Sequence, residues 1–464
     1  MWKILKRWIG QRSRVRLAWH WAKAFAAALR FGFPAKELRI VAVTGTDGKT
    51  TTVSMTAHIL REQGMPVGAV STSFMRIRET IEQNPTHQTS LSPFALQRFL
   101  RRCVDAGCAT VVVEASSHGL VQHRLDFLWP EVAAITNTSL EHLDYHGTME
   151  QYRRDKGILC RMLRGKGTKI LNADDETFAM YRSIPSKKTI VYSGCHGERC
   201  RTMTVHVLSH FDRAQCDNTE YMFSLSNIAV TPTNSSATVT SRSGDESKDV
   251  PLTINLPGSF NLENALCAIA CASAVGIPME KSIPPLASFK GVPGRMERID
   301  EGQPFLVFVD FTVTPRAYEK TLKSAKQMLE AGKRLLVLTG TCGDRMREKR
   351  PMIGKTVSEL ADVVIVTEDE TLTEDPMRTI EDLWAGIDQS RCQAQKILDR
   401  REAIAKLFSL ANPGDIVLLC GMGACTTMQT REGLRPWDER QVARELLVKI
   451  QDTKIQGTRY KEQT

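Results

Sequence analysis

The sequence LRIVAVTGTDGKTTT, from Leu38 to Thr52, decides the fold of this chain. Its apolar, β-branched run from Ile40 to Val43 is typical of a buried parallel strand. The glycine-rich stretch GTDGKT follows at residues 45–50, and the spacing of Met55 and Ile59 then favours a helix. A strand, a glycine-rich loop, a Lys-Thr pair and a helix in this order predict a binding site for the polyphosphate of a nucleotide.

Each part of this loop has a physical reason to hold phosphate. Glycines let backbone N–H groups approach the phosphate oxygens, and the helix N-terminus adds positive potential. We expect Lys49 to reach the outer phosphates and the hydroxyl of Thr50 to bind Mg²⁺. Val43 stands where the full GxxxxGK[ST] pattern has its first glycine, so an ordinary strand-to-helix turn remains the alternative.

Composition limits the class of protein. With 464 residues the chain is too long for one ordinary core, and we expect two or three domains. Hydrophobic residues make up 42% and charged residues 25%, which is typical of a globular protein. The net charge of +10 suits polyanionic small molecules, whereas an aromatic content of 6% provides no stacking platform for nucleic acid. We therefore expect small-molecule substrates and no nucleic-acid partner.

The cysteine pattern indicates a reducing compartment. The twelve cysteines are scattered and stand mostly in apolar runs, as Cys267 and Cys420 do. Such residues are typical of reduced core positions in a cytoplasmic protein. Cys195 and Cys200 flank His196, but no second Cys or His pair follows at zinc-finger spacing, so we predict no zinc site there.

Residues 1–33 form a basic, amphipathic N-terminal segment. The segment contains eight Lys or Arg residues and no acidic residue, with tryptophans at Trp2, Trp8, Trp19 and Trp21. It has no uncharged run long enough for a transmembrane span. Two hypotheses stay open: the segment contacts a membrane interface peripherally, or its apolar side packs on the following domain.

The remaining chain reads as two α/β domains. Alternating strand and helix patterns over 34–290 predict a domain around a parallel, doubly wound sheet. Residues 202–256 alternate apolar and polar side chains, including VHVL at 205–208, and predict an antiparallel insert on the edge of that sheet. A smaller Rossmann-like α/β domain is predicted for 291–452, followed by a polar, frayed tail over 453–464. We expect the protein to be a monomer.

Two further stretches contain candidate site residues that could act together with the glycine-rich loop. Glu114 ends a predicted strand, where a carboxylate facing a phosphate loop is well placed to bind Mg²⁺; a solvated strand-end glutamate is the alternative. The segment from Asn137 to Gly147 follows another buried strand and contains His142, and Lys156 comes shortly after it. One such histidine alone is more often an ordinary surface or core residue. Two histidines, two acids and a lysine together predict a site.

These stretches belong to an ordered set of motifs that resembles one known family. The set is GTDGKTT (45–51), EASSHGLVQHR (114–124), TNTSLEHLDYHGTMEQYRRDK (136–156), LNADD (171–175), GSFNLENALCA (258–268), GVPGRMER (291–298) and CGDR (342–345) with KRP (349–351). It resembles the Mur ligase family, in the branch that adds the third amino acid of the peptidoglycan stem. The resemblance implies an ADP-forming ligase that joins a carboxylate to an amine through an acyl phosphate, with ATP and two Mg²⁺ ions.

The resemblance also implies roles for individual residues. The ATP site is implied for Gly45, Thr46, Asp47, Gly48, Lys49, Thr50, Thr51, Asn137, Asn264, Arg295 and Asp310. Catalysis is implied for Lys49, Glu114, His142 and Lys156, and metal binding for Thr50, Glu114, His142 and a carbamylated Lys156. Contacts to a UDP-MurNAc-peptide or an amino acid are implied for Thr89, Ser90, Ser116, Ser117, Gln122, Arg124, Arg345, Asp369, Glu370, Gly421 and Gly423.

The chain departs from the family pattern at three places. Only segment 1–33 stands where the family has a UDP-binding domain, so a lipid-linked or otherwise modified donor stays open. The motif DYAHTP reads DFTVTP at 310–315, without its tyrosine and histidine. The motifs DNPR and GKGHE read DETL and GMGAC, with Leu372 and Cys425 at their ends. Leucine cannot clamp a carboxylate and cysteine cannot balance an ammonium, which disfavours diaminopimelate as the amine. If lysine is the amine substrate, Glu370 or another acid must balance the charge of its side-chain ammonium.

Two other functions remain open from the sequence. One is a related amide ligase of the folylpolyglutamate or cyanophycin-like type. The other is a non-catalytic, membrane-associated nucleotide-binding protein, since one fold hosts unrelated functions. The presence of Lys49, Glu114, His142 and Lys156 together favours an enzyme.

Overall fold

A computed structural model describes residues 10, 12–84, 86, 88–194 and 219–461. Eleven described strands form the first sheet, which we call the central sheet. They are β1 (Arg39–Thr44), β2 (Val67–Val70), β3 (Phe74–Ile77), β4 (Thr80–Gln83), β5 (Thr110–Glu114), β6 (Val132–Ile135), β7 (Thr168–Asn172), β8 (Lys188–Ser193), β9 (Thr219–Val230), β10 (Ser235–Ser243) and β11 (Glu246–Ile254), in the order 11-10-9-8-7-6-1-5-2-3-4.

The strand β1 lies inside this sheet, paired in parallel with β5 on one side and β6 on the other. Its residues from Ile40 to Val43 are fully buried, as the continuous apolar run requires. The carboxyl ends of parallel strands meet at one edge of a sheet. The glycine-rich loop after β1 therefore opens beside Glu114, the last residue of β5.

Helices cover both faces of the central sheet. The described helices of this part are α1 (Arg14–Arg30), α2 (Lys49–Glu62), α3 (Pro93–Asp105), α4 (Ser117–Val121), α5 (Leu143–His146), α6 (Met149–Lys156), α7 (Ile158–Met162), α8 (Phe178–Arg182), α9 (Ser259–Ala274) and α10 (Met279–Ser282). On one face α2 and α9 form a common core with the strands, and on the other α3 and α7 do. Helices on both faces define the doubly wound arrangement that the sequence predicts.

A second, six-stranded sheet follows. Its strands are β12 (Glu297–Ile299), β13 (Leu306–Asp310), β14 (Leu335–Thr339), β15 (Val363–Val366), β16 (Gln393–Lys396) and β17 (Ile416–Cys420), in the order 12-13-17-14-15-16, and a hairpin of β18 (Thr427–Thr430) and β19 (Gly433–Pro436) comes after it. The helices are α11 (Pro315–Met328), α12 (Lys349–Leu360), α13 (Pro376–Trp384), α14 (Arg400–Leu410) and α15 (Glu439–Lys461). All pairs in this sheet are parallel except β12 with β13.

The mixed α/β class, with a large parallel-rich sheet and a second smaller one, confirms the predicted fold. The pairing of β9, β10 and β11 is antiparallel, as predicted for the insert, whereas VHVL at 205–208 lies outside the described residues. The domain boundary predicted at 290/291 stays a prediction.

Two features differ from the expectation. The antiparallel strands β3 and β4 extend the other edge of the central sheet, and no sequence pattern predicted them. The residues expected to fray from 453 onward continue α15 to Lys461. None of the helices in the described part of the chain combines the length and the hydropathy that crossing a bilayer takes.

Candidate active site

A cleft of about 390 Å³ lies between the two sheets. It opens at the carboxyl ends of β1, β5 and β6 on one side and of β13, β14, β15 and β17 on the other. The predicted site residues that line it are Thr46, Asp47, Gly48, Lys49, Thr50, Thr51, Thr89, Glu114, Asn137, His142, Asn264, Arg295, Asp310, Arg345, Asp369, Glu370 and Gly421. The structure thus brings most of the predicted residues into one cleft.

The glycine-rich loop is held in shape by the strand end beside it. The amide of Asp47 donates to Oδ1 of Asn137 (3.1 Å), and Nδ2 of Asn137 donates back to the Asp47 carbonyl (3.0 Å). Gly48 has a φ of 81°, and a Cβ there would lie 2.3 Å from Oδ1 of Asn264. The positive φ favours glycine at this turn, and a Cβ would also force the side chain of Asn264 to move.

Lys49 begins α2 at the base of the loop. Its Nζ donates to the Thr46 carbonyl at 2.7 Å, which folds the side chain back over the loop. Burial lowers the pKa of Lys49, while the nearby charges of Glu114 and Asp47 oppose that shift. A phosphate group entering the cleft would meet this ammonium directly.

Glu114 is buried and held by neutral donors. It receives hydrogen bonds from the hydroxyl of Thr50 (3.0 Å) and from the amide of Thr72 (2.9 Å). The hydroxyl of Thr72 adds contacts of 3.2 Å to both carboxylate oxygens. Thr72 follows β2 and was not predicted, because a single threonine after a strand carries no distinctive signal. These bonds place the Thr50 hydroxyl and the Glu114 carboxylate together, as a shared metal ion would need.

One ring nitrogen of His142, Nδ1, lies 3.8 Å from the carboxylate of Glu141. This atom is buried and makes no hydrogen bond with any described residue. Burial and the neighbouring His118 keep the pKa of His142 well below its ordinary value, so the ring is neutral at pH 7. Its backbone has a φ of 58°, a strained conformation for a side chain of this size. A neutral imidazole nitrogen is suited to binding a metal ion.

Lys156 lies at the end of α6 and is 1% exposed, behind the wall of the cleft. Its Nζ lies 4.5 Å from the ring centre of Tyr152 and pairs with no carboxylate in the described ranges. Burial and the charge of Lys49 hold the pKa of Lys156 far below its ordinary value. A buried lysine without a counter-ion is costly as a cation, so the site favours an uncharged or modified side chain.

Thr50, Glu114 and His142 fit the binding of Mg²⁺, because all three line the same cleft and together supply oxygen ligands and a ring nitrogen. In the residues that the structure describes, no three His, Cys, Asp or Glu side chains gather into a complete metal cluster. Mg²⁺ sites in nucleotide-binding proteins take one or two protein carboxylates and complete their shell with phosphate oxygens and water. The donor set seen here matches that type of site.

The second sheet closes the cleft through polar contacts with the central part. The hydroxyl of Thr314 donates to the Asp47 carboxylate at 3.3 Å, and Nζ of Lys349 donates to Glu141 at 2.8 Å. Both Lys349 and Glu141 are buried. Neither Glu141 nor Lys349 was predicted as a site residue, although both stand in quoted motifs. A pair separated by 208 residues has no signature in one sequence.

A group of acids lies around the altered motifs of the second sheet. Asp369 and Glu370 line the cleft together with Cys425, and burial raises the pKa of both carboxyls. Burial and the same two acids raise the pKa of Cys425 to about 12, so its thiol stays protonated. The guanidinium of Arg345 also faces this part of the cleft. This part of the cleft therefore offers a guanidinium to the carboxylate of a zwitterionic ligand and carboxyl groups to its ammonium.

Eight predicted residues do not line the cleft. They are Gly45, Ser90, Ser116, Ser117, Gln122, Arg124, Lys156 and Gly423. Gly45 packs under the loop against Thr136, and Gly423 packs against Phe311. Four of the others form a network beside Thr89, in which Ser90 accepts from the Ser116 amide (2.9 Å) and Arg124 donates to Gln122 (2.6 Å).

Ser117 belongs to a second buried network. Its hydroxyl lies 3.0 Å from Nε2 of His146, and Nδ1 of His146 lies 2.6 Å from Asp155. Arg12 reaches Asp155 from the N-terminal segment, with Nη2 at 3.0 Å from Oδ1. Although burial opposes the shift, hydrogen bonds from His146 and Arg12 lower the pKa of Asp155 to about 2. Ser117 therefore has a role in this network and does not face the cleft.

Comparison with known proteins identifies relatives of the whole arrangement. The family model of the Mur ligase middle domain matches residues 43–272. The family model described as Mur ligase, glutamate ligase domain matches residues 294–423.

Individual relatives cover most of the chain. A UDP-N-acetylmuramyl-tripeptide synthetase of Roseiflexus sp. (strain RS-1) is 34% identical, over 92% of this chain and 82% of that protein. A UDP-N-acetylmuramoyl-L-alanyl-D-glutamate–2,6-diaminopimelate ligase of Geobacillus kaustophilus is 33% identical, over 91% and 81%. A solved structure with the same ligase name superposes with a TM-score of 0.57 at 29% identity, over 89% of this chain and 79% of that one.

The contact between Gly48 and Asn264 gives a testable prediction. Gly48→Ala should lower the affinity for ATP or ADP at least about tenfold, because the new Cβ displaces Asn264 and the loop with it. Titration calorimetry with the nucleotide measures this. Gly64→Ala is the matched control, since Gly64 has a φ of 75° with nothing within 4 Å of its Cβ position. Equal nucleotide affinity in the two variants would contradict the assigned loop geometry.

Proposed function

The chain belongs to the Mur ligase family, and from its cleft we propose that it is an ATP-dependent ligase that adds an amino acid to the carboxylate of a UDP-MurNAc-peptide. Mur ligases are ATP-dependent enzymes of peptidoglycan precursor synthesis that form amide bonds, typically with Mg²⁺. The observation that supports the proposal best is the joint placement of Lys49, Thr50 and Glu114 at the loop, in a cleft that His142 also lines.

The proposed reaction has two chemical steps. A carboxylate oxygen of the donor attacks the γ-phosphorus of ATP, the bond to the β-phosphate bridging oxygen breaks, and ADP leaves. The amine of the amino acid then attacks the resulting acyl phosphate, inorganic phosphate leaves, and the nitrogen loses a proton. Lys49 and the loop amides stabilise the charge on the transferring phosphoryl group.

We propose two Mg²⁺ ions for this cleft. Thr50 would bind one ion, and Glu114 and His142 would bind the other, together with Lys156 as its carbamate. Bound Mg²⁺ neutralises phosphate charge. The carbamate is supported by the burial of Lys156 without a counter-ion, because carbamylation converts an uncharged amine into an anion that can face a metal.

The second sheet supplies the proposed amine pocket. We assign Arg345 to the α-carboxylate of the amino acid, because its guanidinium faces the cleft and a bidentate clamp suits a carboxylate. Glu370 lies in the same pocket and forms no ion pair with a described residue. We propose that it receives the distal ammonium of a basic amino acid such as lysine or ornithine. Leu372 cannot clamp a second carboxylate and Cys425 cannot balance a distal ammonium as an acid would, which disfavours diaminopimelate.

We propose that the enzyme works as a monomer in the cytoplasm, with residues 1–33 as a peripheral contact to the inner face of the membrane. Its substrates on this proposal are small: ATP, a nucleotide-sugar peptide and an amino acid. The net charge of +10 supports binding of the first two, both of which are polyanions.

Turnover tests the proposed function directly. We expect phosphate release from ATP that requires both UDP-MurNAc-dipeptide and an amine, with basic amino acids preferred in a screen of amino acids. Lys49→Ala should lower this rate at least about a hundredfold through lost stabilisation of the transition state. Lys355→Ala removes an ammonium from an exposed helix position and should leave the rate unchanged. Undiminished turnover in Lys49→Ala, or turnover only with an unrelated carboxylate donor, would refute the assignment.

The carbamate at Lys156 makes a separate prediction. Lys156→Ala should be inactive and should regain part of its activity in acetate or formate, because a small carboxylate refills the anionic gap. Lys169→Ala is the control. Lys169 is also buried, but its Nζ donates to the carbonyls of Arg182 and Ile184, so its loss should reduce stability without rescue by carboxylates. If neither acid restores any activity to Lys156→Ala, the carbamate role is wrong.

A further inference from the structure

The outward side of α1 is apolar along its whole length. We call this side the α1 face; it consists of Val15, Ala18, Trp19, Trp21, Ala22, Phe25, Ala26 and Leu29, all of them exposed. Val15 is 68% exposed and Leu29 61%. Single exposed apolar residues are common, but a continuous row of them on one helix indicates an interaction surface.

The packing of α1 on the protein does not explain this face. The buried residues of the helix are Ala24, Ala27 and Ala28, and α1 packs against α3. Small side chains therefore make the buried contact with the body of the protein. Val15 and Leu29 stay largely exposed, and Phe127 covers Trp21 and Phe25 only in part. The hypothesis that the apolar side of this segment packs on the following domain does not account for the exposed residues.

Aromatic rings extend the α1 face onto the central part of the protein. Trp21 stacks on Phe25 with ring centres 5.6 Å apart, and Phe25 contacts Phe127 at 5.8 Å. Phe33 joins Phe127 (5.9 Å) and Trp129 (6.0 Å). Tryptophan at the rim of an apolar surface is typical of the headgroup level of a bilayer, where an amphipathic ring has both an apolar and a polar neighbour.

The charged residues of the N-terminal segment that carries the α1 face all have one sign. No acidic residue occurs before Glu37, whereas eight Lys or Arg residues occur in the first 33 positions. Arg14 and Arg30 stand exposed at the two ends of α1. A second copy of this chain would bring two such segments together and repel itself, while an anionic surface attracts both. Charge complementarity therefore favours an anionic lipid surface over self-association.

The helix is also fixed in place. Arg12, just before α1, donates to the buried Asp155 of α6, and Ser13 caps the helix by accepting from the Arg16 amide. The face is thus presented by a helix that is tied to the body of the enzyme. A surface that is ordered before binding loses less conformational freedom on contact with its partner.

From these observations we infer that the α1 face docks the enzyme on a bilayer that contains anionic phospholipid. The apolar side chains enter the headgroup boundary, and the lysines and arginines bind lipid phosphates. This inference extends the peripheral contact proposed for residues 1–33 and does not rest on the ligase reaction. The test below measures binding to lipid vesicles and not turnover, so a negative result would leave the proposed ligase function unaffected.

Co-sedimentation of the full chain with lipid vesicles tests this. We expect binding to phosphatidylcholine vesicles in which about a third of the lipid is phosphatidylglycerol, and little binding to phosphatidylcholine alone. Raising NaCl from about 0.1 M to about 0.5 M should weaken the binding, since salt screens the basic residues. A blue shift of tryptophan emission on adding anionic vesicles gives a second measure of the same contact.

The variant with Val15→Glu and Leu29→Glu should bind anionic vesicles at least about tenfold more weakly, because two carboxylates then face the lipid. Both side chains are largely exposed, so the fold and its thermal unfolding should not change. Leu434→Glu is the matched control: Leu434 is also 68% exposed but lies on β19, and this variant should bind as the parent does.

Three results would overturn the inference. The first is equal binding of the parent and the double variant to anionic vesicles, and the second is no binding by the parent. The third is a dimer of the parent, without lipid, that the same double substitution abolishes, since that result would assign the α1 face to a second copy of the chain.

Discussion

The hydrogen bonds to the buried carboxylate of Glu114 hold the centre of this structure together. Three donors from two segments meet on it: the Thr50 hydroxyl from the start of α2, and the amide and hydroxyl of Thr72 after β2. All of these donors are neutral, and Glu114 is 1% exposed. A carboxylate buried among neutral donors is a favourable place for a divalent cation, whose charge completes the balance. The order of strands makes this possible, because β1 and β5 are neighbours whose ends open side by side.

Side chains that follow strands of the second sheet make polar contacts with the central part and form the other side of the cleft. Thr314 contacts the loop residue Asp47, Lys349 pairs with the buried Glu141, and Arg316 reaches Asp175 at 3.3 Å. These contacts come from the N-terminal turns of α11 and α12, so small rotations of the second unit would change all of them together. In the proposed reaction, the same unit carries the amine pocket around Arg345 and Glu370. On that proposal, these contacts would bring the amine to the activated carboxylate and shield both from water.

Much of the fold could be predicted because its strands are short, continuous and apolar. The runs around Ile40, Val112 and Leu418 are fully buried, because strands of a parallel sheet that is covered on both faces are apolar along their whole length. The strands β3 and β4 escaped prediction because they are four residues each, half-buried or exposed, and lie at a sheet edge. In the site, most of the predicted residues stand in recognisable motifs, whereas Thr72 stands in none. Glu141 and Lys349 do stand in motifs, but their pairing is a contact that only the folded chain reveals. The sequence of α1 also shows which residues are apolar but not which of them face outward, because alanines rather than large residues make its buried contact.

The central claim is that ATP activates the donor carboxylate as an acyl phosphate at the loop of Lys49. The measurement that tests it most directly is the transfer of ¹⁸O from a labelled donor carboxylate, followed by mass spectrometry of the phosphate released. The account predicts one ¹⁸O atom in the inorganic phosphate for each amide bond formed, since the carboxylate oxygen that attacks the γ-phosphorus leaves with it. Amide formation with unlabelled phosphate would contradict the account.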